Sequence, residues 1–85
     1  MNDSEVRRLV ESVIHRVAPE ADFSRISSGA DFREELEIDS IDFLAILDDL
    51  HQRTGVDIPE RDYRELASLD GCVAYVAARG RAPTT

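Results

Sequence analysis

Apolar residues along this chain fall into three helix-spaced stripes joined by connections of quite different character. Val6, Leu9, Val10, Val13, Ile14 and Val17 keep the i, i+3, i+4, i+7 spacing of a buried helical face. That spacing predicts a helix over residues 3–17, capped by Asp3 or Ser4 and ended by Pro19. Phe43, Ile46, Leu47 and Leu50 repeat the pattern and predict a second helix over 40–54, with Gly55 placed to close it in a left-handed conformation. Val56-Asp57-Ile58-Pro59 reads as an extended connection whose proline is pre-set for the first turn of a short helix over 60–66, anchored by Tyr63 and Leu66. Leu69, Cys72, Val73 and Val76 form the third stripe, with Ser68 as cap and Gly80 as terminator.

Two features depart from a plain helical pattern. The first is a connection over 18–38, long for a small domain. Phe23, Ile26, Phe32, Leu36 and Ile38 are spaced to pin it repeatedly onto the helices; Ser27-Ser28-Gly29 marks a bend, and residues 31–36 can form a helical turn of their own. The second is a further stripe on the second helix. Ile41, Leu44, Ala45 and Asp48 keep helical spacing on a face next to the core stripe. One stripe suffices to pack a helix in a small bundle, so the other is either covered by the loop or left for a partner. An apolar strip rimmed by Asp42, Asp48 and Asp49 has the character of a docking surface.

Charge sharpens this picture. Residues 31–50 hold eight acids against Arg33, a balance of −7, whereas the rest of the chain holds ten acids and nine arginines. One segment thus carries nearly all of the net charge of −8, and its field attracts basic partner surfaces while disfavouring nucleic acid and anionic membrane. Eighty-five residues, 42% hydrophobic and 33% charged, make one globular domain, and the single Cys72 has no partner for an intrachain disulfide. Arg7, Arg8 and Glu11 interrupt the first apolar run, so it is not a signal peptide, and no run approaches a membrane span. A cytoplasmic monomer without membrane insertion is expected. Cys72 is expected to pack as a small hydrophobe and His15 to sit at the boundary of its stripe.

The candidate chemistry lies at the start of the second helix, in Glu37-Ile38-Asp39-Ser40-Ile41-Asp42-Phe43-Leu44. Asp39 can cap the helix, with Asp42 three residues on in the manner of a capping box. Ser40 then falls in the first turn, where backbone N–H groups lack intrahelical partners and the helix dipole favours an anion. The flanking carboxylates oppose a free phosphate, so the position suits a covalently attached one. Enzyme chemistry is not expected. His15 and His51 lie on separate helices, there is no glycine-rich phosphate loop, and the acids around Glu34 lack the spacing of a dedicated cation site, so neither a catalytic residue nor a metal ligand is assigned.

Asp39-Ser40-Ile41 ahead of a helix, with Gly55-Val56-Asp57-Ile58-Pro59 about one helix length on, resembles the acyl carrier proteins and related phosphopantetheine carriers over residues 31–76. The resemblance implies an all-α fold: a small right-handed up-down bundle of three main helices plus one short helix, with a long packed loop between the first two. It implies a single carrier domain over 1–80, followed by a flexible tail over 81–85. It further implies that Ser40 carries a covalent 4′-phosphopantetheine whose thiol holds an acyl or aminoacyl group as a thioester. The implied partners are a phosphopantetheinyl transferase, a loading ligase, and downstream synthases or transferases with basic docking surfaces. Asp39 and Asp42 would address the transferase, Ile41 and Leu44 would supply apolar contact, and Asp48 and Asp49 would extend the docking face.

Several positions depart from the family pattern. Ile41 stands where leucine is usual, and Phe43 is bulkier than the common residue, altering the cleft that shelters acyl chains in the family. Ala45 stands where fatty-acid carriers have glutamate, and His51-Gln52 where acids are common; Ile38-Asp39 lacks the Gly-Gly of peptidyl carriers. These departures favour a specialised free-standing carrier, in lipid or secondary-metabolite synthesis, over the housekeeping carrier of fatty-acid synthesis. The alternative is the same bundle unmodified, acting purely as an acidic interaction module.

Overall fold

The three stripes become three helices packed around one core. A computed structural model describes residues 2–79. It comprises α1 (Asp3–Val17), α2 (Phe32–Glu35), α3 (Ser40–Thr54) and α4 (Leu69–Arg79), with 3-10 segments at Phe23–Arg25 and Glu60–Leu66. The architecture is all-α, as the periodicity predicts; among the described residues the nearest thing to a sheet is one isolated antiparallel bridge, Asp31 with Ser68. α1 packs against both α3 and α4, and α4 packs against the second 3-10 segment. Gly80 and residues 81–85, read as helix terminator and tail, lie outside the described residues.

The core takes what the stripes offer. Val6, Val10, Val13 and Ile14 of α1 are fully buried, as are Ile46 and Leu50 of α3 and Leu69, Cys72 and Val76 of α4. Phe32, Leu66 and Val56 close it from the connections. Leu9, Val17 and Val73, read as members of the buried stripes, are only partly covered and pack at the core's edge. Tyr63 is likewise half-buried, with its ring edge-on to that of Phe43 at 6.2 Å. The 60–66 segment is a 3-10 helix rather than an α-helix.

One cap differs from the reading. α1 is capped by Asn2, one residue before the expected Asp3 or Ser4. The Glu5 N–H donates to Asn2 Oδ1 and the Asn2 N–H donates to Glu5 Oε1, both at 2.9 Å, a reciprocal capping box. Ser68 caps α4 as expected, accepting from the Gly71 N–H at 2.9 Å.

The long loop is held by backbone as well as by apolar side chains. The Phe32 N–H donates to the Ala67 carbonyl (3.0 Å) and the Asp70 N–H to the Ser28 carbonyl (2.9 Å), tying the loop to the entry of α4. His15 Nε2 lies 2.7 Å from the Ala21 carbonyl; since a carbonyl only accepts, the ring donates and anchors the loop's start. α2 then ends in a Schellman motif, with the Ile38 N–H donating to the Arg33 carbonyl (2.8 Å) and the Glu37 N–H to the Glu34 carbonyl (3.3 Å). The left-handed residue such a motif requires is Glu37, at φ 55°, where glycine is the unstrained choice. This turn delivers the chain to Asp39 and thus fixes where α3 begins.

Gly71 matters for another reason. A Cβ at this position would run into the Glu65 carbonyl oxygen, so the first turn of α4 can approach the end of the 3-10 segment only with glycine there.

Candidate functional site

α3 starts at Ser40 because Asp39, in an extended conformation, accepts the Asp42 N–H at 2.8 Å. Only half of the anticipated box forms: Asp39 caps, but among the described residues the Asp42 carboxylate makes no return bond. Aspartate is one methylene shorter than the glutamate such a box uses, and Asp42 stays exposed. Ser40 is exposed in this first turn, and its hydroxyl makes no hydrogen bond to the described residues. The helix ends as predicted at Gly55, left-handed at φ 74°.

Four apolar side chains of α3 face inward, and the second stripe does not. Phe43, Ile46, Leu47 and Leu50 are at most 3% exposed, whereas Ile41 is 78% and Leu44 47% exposed, with Ala45 and Asp48 open beside them. The loop therefore leaves this stripe uncovered. Asp39, Ser40, Ile41, Asp42, Leu44 and Asp48 are brought together on one accessible surface. Asp49 is set apart: it is half-buried on the rim toward α1, paired with Arg53 at 3.0 Å and with Arg16 at 3.6 Å. Much of its charge is already answered within the molecule.

Three features near the site carry no local signature in the sequence: the cover over Phe43, a groove past Leu44 and the floor of that groove. Arg33, the one cation of the acidic segment, lies over the Phe43 ring at 4.4 Å, and its Nε is buried without a hydrogen-bond partner among the described residues. Leu44, one turn beyond Ser40, borders an open groove of ≈ 1070 Å³ between α3, the 55–59 connection and α4, with Asp48, His51, Arg61 and Arg79 in its lining. Tyr75 closes the groove's floor: its ring is buried, and its hydroxyl donates to Asp62 Oδ2 at 2.7 Å. Burial of the ring, and then the Asp62 carboxylate beside it, raise the Tyr75 pKa above its ordinary value. Helical spacing up to Val76 does not single out Tyr75, because a tyrosine in a helix is as readily a surface residue as a core one.

The residues present fit a phosphodiester on Ser40. The N–H groups of the first helical turn are unpaired by the helix, apart from the Asp42 N–H that Asp39 takes, and the hydroxyl is open to an incoming group. Cys72 is not an alternative nucleophile. It is fully buried, its thiol donates to the Leu66 carbonyl (3.2 Å), and burial pushes its pKa up to about 12. Among the described residues no helix is long and apolar enough to cross a membrane.

Comparison with known proteins agrees with this geometry. Residues 4–76 match the family model described as a phosphopantetheine attachment site. The chain is 33% identical over 55 residues to an acyl carrier protein of Rubrobacter xylanophilus, covering 65% of this chain and 68% of that protein. It is 27% identical over 77 residues to the acyl carrier protein of Lactobacillus johnsonii, covering 89% and 94%. It is 28% identical over 82 residues to the mitochondrial acyl carrier protein 2 of Arabidopsis thaliana, covering 96% of this chain and 64% of that one. The chain thus belongs to the acyl carrier protein family, non-catalytic carriers that hold their cargo on a covalent 4′-phosphopantetheine and work with modifying and biosynthetic enzymes.

Proposed function

We propose that Ser40 is the attachment site of the arm, and that the chain carries an acyl or aminoacyl group in a specialised lipid or secondary-metabolite pathway. The observation that carries the assignment is the coincidence, within one helical turn, of an exposed serine hydroxyl and an uncovered apolar strip, Ile41 and Leu44, inside the acidic segment. A buried or hydrogen-bonded serine would have to be extracted before another protein could modify it; Ser40 needs no such step. Its Oγ is the nucleophile inside a phosphopantetheinyl transferase: it attacks the arm-bearing phosphorus of coenzyme A's pyrophosphate, the P–O bond to the nucleotide breaks, and adenosine 3′,5′-bisphosphate leaves. The hydroxyl proton passes to a base of the transferase or to water, and a phosphodiester remains on Ser40. Once attached, the arm supplies the thiol that holds the cargo as a thioester.

The surrounding residues then have separate duties. Asp39 fixes the start of α3 and, with Asp42 and Asp48, presents negative charge to basic surfaces on the transferase, the loading ligase and the downstream synthase or transferase. Ile41 and Leu44 give these partners an apolar anchor. Asp49, paired with Arg16 and Arg53, contributes less than its position on α3 suggests. The chain works as a monomer in the cytoplasm on this reading. Ala45, His51 and Gln52, which leave α3 with acids near its start and middle but without a full acidic ladder, support a dedicated set of partners over those of housekeeping fatty-acid synthesis.

The test is intact-protein mass after incubation with coenzyme A, magnesium and a broad-specificity phosphopantetheinyl transferase. Wild type is expected to gain the mass of one arm and Ser40→Ala none. A folded wild type that gains nothing, while a known carrier in the same tube is modified, contradicts the proposal.

A further inference from the structure

The interior immediately behind Ser40 is filled, and the filling bears on what the carrier holds. Phe43 follows Ser40 by three residues, so the two side chains are neighbours along α3, one at the rim and one inside. The Phe43 ring is enclosed on several sides. Phe32 packs against it at 6.2 Å, Tyr63 meets it edge-on at 6.2 Å, and the Arg33 guanidinium covers it at 4.4 Å. The Arg33 Nε is itself buried, so this part of the arginine covers the outer side of the ring although the residue as a whole is partly exposed. Beyond lie Ile46 and Leu50, both fully buried. An alkyl chain entering from the Ser40 side would have to displace an aromatic ring held by two others and an arginine, in a core packed too tightly to yield without strain.

The open space one turn along α3 from Ser40 is of another kind. The groove past Leu44 is wide, open and mixed: Asp48, His51, Arg61 and Arg79, groups that stay hydrated, stand beside Leu44, Ile58 and Tyr63. A long alkyl chain lying there could rest on those apolar side chains, but its outer side would stay in water and forfeit much of the burial that makes shelter worthwhile. A short or polar acyl group loses nothing by staying in that groove.

We infer that this carrier keeps its acyl group outside the bundle, that Phe43 under Arg33 is the residue that bars the interior, and that the cargo is accordingly a short or polar acyl group. The inference rests on Ser40 being the attachment site, and the experiment separates the two. The transferase is supplied with acetyl-, butyryl-, octanoyl- and dodecanoyl-coenzyme A, single loading is confirmed by intact mass, and each product is melted by circular dichroism. An interior that takes up the chain is a bound ligand of the native state and raises Tm as the chain lengthens. Wild type is expected to melt within about 1 °C across the series, less than the shift of about 4–8 °C that 1 kcal/mol produces in a domain of this size. Phe43→Ala, with a cavity in place of the ring, is expected to begin lower and to regain stability as the chain lengthens.

A rise of about 4 °C or more from acetyl to dodecanoyl in wild type overturns the inference while leaving Ser40 as the attachment site. The wild-type series decides this even if Phe43→Ala does not fold, and the milder Phe43→Val then reports on the bar. A folded variant whose Tm ignores chain length overturns the role given to Phe43. Failure of wild type to gain any mass strikes the attachment site itself, and this inference with it.

Discussion

The two faces of α3 are built from similar residues and meet opposite fates. On one, Phe43, Ile46, Leu47 and Leu50 are sealed by α1, α4 and the connections; on the other, Ile41 and Leu44 repeat the same spacing and stay in water. Hydrophobic spacing alone does not distinguish them. What does is the number of elements available to cover them: a bundle of this size has enough surface to close one stripe, and the loop that could have covered the second is tied instead to the entry of α4 by the Phe32–Ala67 and Asp70–Ser28 bonds. Folding uses one face of the helix and leaves the other, with Ser40 at its head, uncovered; we propose that this face meets partners.

The contrast is broken most forcefully from the buried side. Leu50→Ala or Ile46→Ala should destabilise the domain by about 2–5 kcal/mol, measured by urea unfolding, whereas Ile41→Ala should move stability by no more than about 0.5 kcal/mol. Equal losses at the two positions would mean that the outer stripe is structural. Next in size is the response to alkali, which belongs to the interior alone. The Cys72 thiol has a pKa of about 12 when folded against an ordinary 9.0, so above pH 9 the unfolded chain loses its proton first. Stability from this group is complete below pH 9 and is lost as pH rises toward 12, by up to about 1.4 kcal/mol per pH unit. Cys72→Ala should lower stability at pH 7 yet flatten that slope; Tyr75, shifted in the same direction, accounts for part of any slope that remains.

Gly71→Ala comes third. Its methyl would meet the Glu65 carbonyl, and a loss of about 1–3 kcal/mol in urea unfolding is expected. The smallest effect is a gain. Glu37 holds a left-handed conformation at the turn into α3, and Glu37→Gly should relieve it, raising stability by about 0.5–1 kcal/mol after allowing for glycine's freer unfolded state.

Much of this was readable in the order of residues, and the remainder was not for physical reasons. The bounds of α3, its Gly55 terminator, its Asp39 cap and its buried stripe are local features, each decided within a turn or two of helix. The same holds for the placement of Ser40. The Asn2 box is equally local, but Asp3 and Ser4, both good caps, follow at once and compete with it in the sequence. Other features depend on residues far apart in the chain. Asp31 meets Ser68, Asp49 meets Arg16, and Arg33 meets Phe43 only after the loop has folded back. The pairing of Asp49 is instructive: counted along the helix it belongs to the docking face, and only tertiary structure reveals an arginine from α1 answering it.

On the proposed function, the outer face of α3 is a docking surface that folding does not need. Its most direct test is the double variant Ile41→Asp/Leu44→Asp, measured twice, for Tm and for kcat/KM of arm transfer by the phosphopantetheinyl transferase. The account predicts a Tm within about 3 °C of wild type, as surface substitutions allow, and a fall in kcat/KM of at least about tenfold, the equivalent of 1.4 kcal/mol of lost recognition. Transfer at the wild-type rate, or a Tm that falls as far as that of Leu50→Ala, would contradict it.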